Sequence, residues 1–218
     1  MEREDEENGG APMAENVDDR RERILRTSTR LFGEEGFYGT HMSEVASQAR
    51  ISPKTLYNYF SSKKELFIAT RDKAMDNLTE GIFAAIMEQP PDQDSFTIIR
   101  NALKTYSDYI RKNRGSARIL AEGVAIIDKE IQAQQREIFT VAIGAVTVLM
   151  ENDVRDGRLE LVAEPDKTAL LFLSFAALLA YAVMLDLDKK SGGGFDAAYA
   201  LDLFCDVMRT GPRRAPQA

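Results

Sequence analysis

Apolar residues recur with a helical period along most of the chain, and the alternation typical of strands is absent over any useful length. Residues 20–35 carry one apolar face and end before Gly36, which can adopt the left-handed backbone of a helix end. A short second helix, with Thr40 as its N-cap, is indicated by apolar residues at i, i+3, i+4 and i+7, namely Met42, Val45, Ala46 and Ala49. The pattern predicts an all-α protein.

A third helix is predicted at residues 53–60. Ser52 can accept a free backbone N–H, and Pro53 at the first helical position gives up only an N–H that has no partner. Leu56 and Phe60 lie four residues apart and are expected to point inward together. The outer surface carries a cation, two phenols, a hydroxyl and an amide: Lys54, Tyr57, Tyr59, Thr55 and Asn58.

These outer groups suit phosphates and base edges, although an ordinary amphipathic surface helix is the alternative. Only Arg50 and Ile51 separate the second helix from Ser52, so the two short helices must meet at a steep angle. This spacing favours a helix-turn-helix unit.

The remaining helices follow from the same periodicity. Ser62 and Glu65 have the spacing of a capping box, which begins a fourth helix over residues 63–87. Gly115 is expected to break the chain after the fifth helix. Apolar faces predict further helices over residues 96–111, 117–127, 128–155, 165–185 and 196–210, which makes about nine in all.

Residues 169–185 contain no charged side chain and only Ser174 as a clearly polar one. A membrane span is one interpretation of such a segment. The segment is short for a span, has charges on both sides and stands alone, so we expect a helix buried in a protein core and no membrane partner.

A specific motif supports the helix-turn-helix interpretation. The run 52–66 contains Leu-Tyr-x-Tyr-Phe-x-x-Lys-x-x-Leu, and it follows Gly36, Phe37, Thr40, Val45 and Ala46 in the order just described. Over roughly residues 20–70 the chain closely resembles the DNA-binding domain of the tetracycline-repressor (TetR) family. The resemblance implies a transcriptional regulator that binds double-stranded DNA as a homodimer.

The resemblance also implies roles for single residues. Those expected to face bases are Pro53, Lys54 and Tyr57, and those expected to hold phosphates are Thr40, Thr55, Asn58, Tyr59 and Lys63. The predicted DNA-binding set further includes Ser52, and Ser43, which lies where some members place a base-reading cation.

Arg50 departs from the family, in which this turn position is usually glycine. Either the turn differs here, or Arg50 adopts a positive φ at an energetic cost. Its long side chain could also reach a phosphate, so we include it in the DNA-binding set on the ground of reach alone.

The distribution of charge agrees in sign with DNA binding. The whole chain has a net charge of −7, but the positive charge is concentrated: residues 1–17 carry −5, residues 18–72 carry +2 and residues 73–218 carry −4. Only the segment predicted to bind DNA is positive, as expected where the other surfaces should be repelled. The acidic start is predicted to be disordered, with no assigned role.

Composition argues against an enzyme and against metal or cofactor sites. Cys205 is the only cysteine and His41 the only histidine, and there is no glycine-rich phosphate loop. One cysteine also excludes a disulfide framework. The N-terminus lacks the basic and apolar regions of a signal peptide, so we expect a cytoplasmic protein.

An effector pocket is the second predicted site. Family members hold a small molecule among the body helices, and its binding swings the fourth helix. Large rings and apolar side chains are frequent between residues 96 and 184 and can line a cavity, although plain core packing is the alternative. The predicted ligand-binding residues are Phe96, Leu103, Tyr106, Tyr109, Leu120, Glu122, Phe139, Ile143, Phe172, Phe175 and Tyr181, with Glu122 as the polar anchor.

The last two helices are predicted to dimerise, as the resemblance implies and as their apolar faces favour. The alternative is that these helices only complete the monomer core. The predicted interface comprises Leu170, Leu173, Ala177, Met184, Leu201, Phe204, Cys205 and Met208.

These predictions combine into one hypothesis. We expect disordered tails at residues 1–17 and 212–218, a three-helix helix-turn-helix domain at 18–64, and a helical effector-binding and dimerisation domain at 65–211. The predicted function is a homodimeric repressor that binds a palindromic operator and is released by an apolar or aromatic small molecule. Two alternatives remain: a DNA-binding regulator without an effector, whose helical body only dimerises or recruits a protein, and a small-molecule-binding protein that does not bind DNA.

Overall fold

The computed structural model describes residues 16–90, 92–125, 128–185, 187 and 197–210, and within them the chain forms nine α-helices and no strand. The helices are α1 Val17–Gly39, α2 Met42–Gln48, α3 Pro53–Tyr59, α4 Lys63–Met87, α5 Ser95–Lys112, α6 Arg114–Ala125, α7 Lys129–Arg155, α8 Pro165–Met184 and α9 Ala197–Thr210. The all-α prediction is confirmed. Of the tails predicted at residues 1–17 and 212–218, residues 1–15 and 212–218 lie outside the described residues.

Local capping explains where several helices begin. Ser52 Oγ accepts the Thr55 N–H at 3.0 Å, and Ser62 Oγ accepts the Glu65 N–H at 3.1 Å, as predicted. Asn16 accepts the Asp18 N–H and begins α1 at Val17, so the predicted start at residue 20 and the end of the predicted tail at residue 17 are both wrong.

A core cluster joins the first four helices and extends into the body. It contains Phe32 of α1, Val45 of α2, Leu56 of α3 and Phe67 of α4. Ile119 of α6 is fully buried in the same cluster. The predicted domain boundary after residue 64 therefore falls inside α4 and within one continuous core.

Two glycines show why α1 and α6 pack so closely. A Cβ atom at Gly33 would lie 2.4 Å from the Cα atom of Gly115, and one at Gly115 would lie 2.9 Å from the Thr29 carbonyl oxygen. The predicted chain break at Gly115 is wrong, because α6 runs through it from Arg114. Glycine is required there by close approach of two backbones.

A second core cluster joins α5, α7, α8 and α9. It includes Phe96, Met150, Phe172 and Leu201. Asp153 at the end of α7 accepts the backbone N–H of Ser95 at the start of α5 and forms an ion pair with Arg158. Although burial opposes it, these hydrogen bonds and charges hold the pKa of Asp153 below its ordinary value. The body helices are thereby fixed at their ends as well as along their faces.

Helix α8 is long and apolar enough to span a membrane by length and composition alone, and 44% of its most apolar window is buried inside the protein. Its inner face, which includes Phe172 and Leu179, is buried in the body. Leu178 on its outer face is exposed. The helix thus completes the core with one side and leaves the other uncovered.

Candidate DNA-binding surface, cavity and dimer surface

The turn between α2 and α3 is closed by two backbone hydrogen bonds. Arg50 N–H donates to the Ser47 carbonyl at 3.1 Å, and Ile51 N–H donates to the Ala46 carbonyl at 3.0 Å, the bond pattern of a Schellman helix end. Arg50 has φ 54° and is the only non-glycine residue with positive φ in the described part of the chain. Of the two possibilities that the sequence left open, Arg50 therefore adopts the strained backbone.

Arg50→Gly is expected to raise the free energy of unfolding. The left-handed conformation costs a non-glycine residue roughly 1–2 kcal/mol, and we expect a net gain of about 1 kcal/mol. Thermal and urea unfolding would measure it. Arg50→Asn is the matched comparison, because asparagine tolerates this conformation and also removes the cation, and it should give a smaller gain. A loss of stability in Arg50→Gly would contradict the assignment of strain.

The outer face of α3 is available for contact. Leu56 and Phe60 are buried in the N-terminal core, as predicted. Tyr57 is 52% exposed, although phenol rings are usually packed, and Lys54 and Asn58 are exposed beside it. The remaining predicted residues vary: Ser43, Ser52 and Pro53 are exposed, while Thr55 and Tyr59 are half-buried.

The structure corrects the prediction for Thr40. Its side chain is fully buried, and its hydroxyl donates to the Gly36 carbonyl at 2.8 Å, so it is not free to hold a phosphate. Thr40 also follows the end of α1 and is not the N-cap of α2, a position held by His41 without a side-chain hydrogen bond. Gly36, with φ 76° and ψ 175°, interrupts α1 in a conformation that is essentially limited to glycine.

Lys63 is partly engaged within the protein. Its Nζ donates to the Thr40 carbonyl at 3.1 Å and to the Tyr38 carbonyl at 3.3 Å, and it lies 4.9 Å from the centre of the Phe37 ring. The side chain is half-buried. An ammonium group has three donors, so these two bonds leave one donor for a phosphate.

A cavity of about 400 Å³ lies in the body, and its described lining is almost entirely apolar. The lining residues from α4 to α6 are Met75, Leu78, Thr79, Ile82, Ile86, Ile98, Ile99, Ala102, Leu103, Tyr106, Leu120 and Ala121. Those from α7 and α8 are Gln135, Ile138, Phe139, Ala142, Ala145, Val146, Leu149, Phe172, Leu173, Ala176, Ala177, Ala180 and Tyr181. Six of the predicted ligand-binding residues are among them: Leu103, Tyr106, Leu120, Phe139, Phe172 and Tyr181.

Five predicted ligand-binding residues do not line the cavity. Phe96 packs edge-on against Phe172 at 5.4 Å between ring centres, and Phe175 stacks on Phe204 at 4.5 Å. Tyr109 donates its hydroxyl to the Ala74 carbonyl at 3.2 Å. The other two are Ile143, which is half-buried on α7, and Glu122. Tyr109 is thus hydrogen-bonded outside the cavity, and neither Ile143 nor Glu122 contributes to the cavity wall.

Glu122 instead joins the body to the end of α1. Its Oε2 accepts the Phe37 N–H at 3.0 Å, and its Oε1 accepts from Arg118 Nε at 2.8 Å. Arg118 Nη1 in turn donates to the Glu34 carbonyl at 2.9 Å. The prediction of Glu122 as a ligand anchor is therefore wrong in this structure. Sequence reasoning missed Arg118, because its partners lie about 85 residues away and no local pattern marks them.

Exposed apolar side chains on α8 and α9 form a set that we call the outer stripe, and the two helices touch through the stacked rings of Phe175 and Phe204. Its members are Leu170, Leu171 and Leu178 of α8 and Tyr199, Leu203 and Val207 of α9, which are 51%, 44%, 61%, 67%, 51% and 46% exposed. Large contiguous apolar surfaces mark contact sites in soluble proteins. The outer stripe is the candidate dimer surface.

The predicted interface residues of α9 do not lie in the outer stripe. Leu201, Cys205 and Met208 are buried in the body core, and burial raises the pKa of the Cys205 thiol to about 11. Phe204 stacks on Phe175 within the monomer. Of the α8 residues, Leu170 is in the outer stripe, Leu173 and Ala177 line the cavity, and Met184 is half-buried against a cluster of α5, α6 and α8. Helix α9 thus has two apolar faces, one buried in the core and one in the outer stripe.

Comparison with known proteins agrees with this geometry. Residues 24–70 match the family model for bacterial regulatory proteins of the tetR family. The transcriptional activator FasR of Mycolicibacterium smegmatis is 27% identical over 136 residues, which are 62% of this chain and 61% of FasR. The match thus spans less than two thirds of that relative.

Two solved structures share the fold at low identity. FadR of Bacillus subtilis in complex with stearoyl-CoA is 14% identical with a TM-score of 0.72, and the match covers 88% of this chain and 99% of FadR. AibR in complex with isovaleryl coenzyme A and operator DNA is 19% identical with a TM-score of 0.68, and the match covers 88% of this chain and 99% of AibR. Identities this low establish the fold alone.

Proposed function

We propose that this chain is a DNA-binding transcriptional regulator of the TetR family and not an enzyme, and that it acts in the cytoplasm as a homodimeric repressor. The α3 helices of the dimer bind a palindromic operator in successive major grooves, and an apolar small molecule in the body cavity releases it. The observation that carries the effector part is the cavity of about 400 Å³, a size typical of small-molecule sites.

The exposed face of α3 supports the DNA-binding role. Lys54 and Tyr57 project from a short helix whose buried residue Leu56 anchors it in the N-terminal core. The helix is only seven residues long, so its position depends on that anchor and on the turn at Arg50. Base-reading side chains need such a fixed support, because misplacement of the helix alters every contact at once.

The cavity is connected to the DNA-binding domain through two helices. Helix α4 lines the cavity with Met75 and Leu78 and packs in the N-terminal core with Phe67. Helix α6 lines the cavity with Leu120 and holds the end of α1 with Glu122. A ligand that shifts either helix therefore has a direct path to α3. In family members ligand binding moves the fourth helix, and we propose that here α6 moves with it.

Two substitutions separate affinity from sequence choice. Lys63→Ala is expected to weaken binding to all duplexes and to lower the slope of log K against log salt by about 1, since one phosphate contact is lost. Lys54→Ala is expected to weaken binding to the preferred sequence by about 1–3 kcal/mol. It should also reduce the preference for one particular base pair. Fluorescence anisotropy at several salt concentrations measures both.

Lys104→Ala is the control for charge, because Lys104 is exposed on α5 in the body. It should leave the salt slope unchanged. Thermal unfolding of Lys63→Ala must accompany the binding data, since Lys63 also donates to two carbonyls at the end of α1. An unaltered salt slope in Lys63→Ala would show that Lys63 does not contact phosphate.

The function as a whole is tested by selecting duplexes from a random DNA pool with the purified protein, followed by native mass spectrometry. The expected products are a palindrome with half-sites about 10 bp apart and a dimer that carries extra small-molecule mass. A monomer, or no enrichment at any salt concentration, would refute the proposal. A dimer that binds DNA but never binds an apolar compound would favour the regulator without an effector.

Activation is a second candidate for the sign of control, because the relative FasR is described as a transcriptional activator. A reporter gene placed behind the selected palindrome decides between them. Loss of the regulator should raise expression if it represses and lower expression if it activates.

A further inference from the structure

A second concave site lies between the N-terminal helices and the body. It is a cleft of about 650 Å³, a volume within the range of small-molecule sites. Helices α1 and α4 form one side of it, and the end of α5 and the start of α6 form the other. The cleft shares no lining residue with the apolar cavity, so the two are separate sites.

The lining of this cleft is positively charged. It includes five Lys or Arg side chains and only two Glu side chains, although the whole chain has a net charge of −7. Both glutamates are already paired, Glu34 with Arg30 at 2.7 Å and Glu22 with Lys73 at 3.5 Å. The excess positive charge therefore comes from the other cations of the lining.

Arg26 and Lys112 supply most of that excess. Both side chains are exposed, and neither forms an ion pair or a hydrogen bond with any other residue that the structure describes. Arg114 also lines the cleft, but its Nη1 donates to the Val183 carbonyl at 3.0 Å. Arg26 lies on α1 and Lys112 ends α5, so two free cations reach the cleft from different helices. Such a concave cluster of one sign of charge attracts an anion.

The start of α6 adds hydrogen-bond donors to the same cleft. Gly115 and Ser116 lie in the first turn, where N–H groups have no partner within the helix. The side chain of Asn113, just before α6, donates to the Tyr109 carbonyl at 2.9 Å, and among the described side chains none accepts from these two N–H groups. A helix start of this kind carries partial positive charge and favours anions.

Ser116 is the buried group that indicates a ligand. Its side chain lines the cleft and is 7% exposed, yet no described residue is a hydrogen-bond partner of its hydroxyl. The hydroxyls of Ser28 and Thr29 on the neighbouring α1 each donate to a backbone carbonyl at 2.9 Å. Buried hydroxyls are normally satisfied in this way, so the missing partner of Ser116 is expected in the cleft.

A phosphate group meets all of these requirements together. It has several acceptor oxygens, so it can accept from backbone N–H groups and a hydroxyl while its charge faces two cations. A carboxylate has only two oxygens for the same donors. An uncharged ligand would leave the positive charge of Arg26 and Lys112 uncompensated.

We propose that this cleft binds the phosphate group of a small phosphorylated molecule. The Ser116 hydroxyl and the N–H groups at the start of α6 donate to the phosphate oxygens, and Arg26 and Lys112 supply the opposing charge. The rest of the cleft accommodates the organic part of the molecule. This second ligand contacts both the N-terminal helices and the body, and its site does not depend on the apolar effector proposed above.

The test is calorimetric titration of the full-length protein with pyrophosphate, at an ionic strength held constant with sodium chloride. Pyrophosphate is expected to bind and to raise the melting temperature as its concentration increases, because it stabilises the folded state that holds the cleft. Adenosine monophosphate is expected to displace pyrophosphate. Adenosine should not, since it lacks the phosphate.

Three variants test the assigned residues. Ser116→Ala is expected to weaken pyrophosphate about tenfold, the equivalent of one hydrogen bond to a charged group. Arg26→Ala and Lys112→Ala should each weaken it about fivefold, as expected for one exposed charge pair. Lys104→Ala is the matched control, because Lys104 is exposed on α5 but outside the cleft, and it should bind like the unaltered protein. Unfolding temperatures without ligand show whether each variant is folded.

The DNA backbone is the other source of phosphate groups, and Lys112→Ala distinguishes the two. If the cleft holds a small molecule, this variant should leave the salt dependence of binding to a random-sequence duplex unchanged. A slope of log K against log salt lowered by about 1 would assign the contact to DNA and overturn the proposal.

Two further results would overturn it. The first is that pyrophosphate has no more effect than sodium chloride of equal ionic strength. The second is that Ser116→Ala, Arg26→Ala and Lys112→Ala all bind pyrophosphate like the unaltered protein, which would place its binding site elsewhere. Neither result bears on the apolar cavity or on the proposed function.

Discussion

Leu178→Glu is expected to convert the proposed dimer into monomers and to weaken binding to the proposed operator by about 100-fold or more. Leu178 is 61% exposed on the outer stripe of α8, so its replacement does not disturb the monomer core. In a two-fold interface the change places two carboxylates in apolar contact, where neither has a counter-charge. Binding of the second half-site would lose the effective concentration that dimerisation supplies, which is worth about 10²–10⁴ in affinity.

Sedimentation velocity measures the oligomeric state, and anisotropy with the selected duplex measures the affinity. Leu203→Glu on α9 should act in the same way, because Leu203 is in the same stripe. Phe83→Glu is the matched control, since Phe83 is 62% exposed on α4 and outside the stripe. A Leu178→Glu protein that stays dimeric, with Leu203→Glu also dimeric, would place the interface elsewhere.

Gly33→Leu is expected to lower the free energy of unfolding by about 3 kcal/mol and the melting temperature by about 6–12 °C. Even a single Cβ atom at this position would lie 2.4 Å from Gly115 Cα, so α1 and α6 must separate to accommodate a larger side chain. Backbone cannot be displaced as easily as the end of a flexible side chain. Separation would also strain the bonds from Arg118 and Glu122 to the end of α1.

Gly81→Leu is the control, because a Cβ atom at Gly81 on α4 would meet nothing within 4 Å. Leucine is a better helix former than glycine, so this variant should be about 0.5–1 kcal/mol more stable. Differential scanning calorimetry of both variants measures the contrast. If the two melting temperatures rise together, α1 and α6 are not packed as the glycine pair requires.

Much of the helical framework could be predicted from the sequence. Helix starts at Ser52 and Ser62 depend on contacts within three residues, so local chemistry decides them. The inward faces of the first three helices follow from apolar residues on one side only, such as Leu56 and Phe60. The motif around these residues also indicated the resemblance to the TetR family, whose model matches residues 24–70.

Other features depended on contacts between distant segments. Whether Arg50 accepts a positive φ depends on whether packing of α2 against α3 outweighs local strain, and sequence reasoning left both possibilities open. The local sequence predicted Thr40 as a helix cap, yet its hydroxyl donates a hydrogen bond to the Gly36 carbonyl in α1. Glu122 looked like a ligand anchor, yet its partner is Phe37, 85 residues away.

The sequence by itself determined where helices form and which short helices have a single buried side, because propensity, capping and periodicity act within a few residues. Only the tertiary structure decided which side of α8 and α9 faces the core. Helix α8 is apolar on all sides, and α9 has Leu201 on one apolar face and Leu203 on another. When either of two apolar faces could be buried, packing against the neighbouring helices decides which one is. In α8 and α9 this packing determines which residues belong to the cavity and core and which belong to the outer stripe.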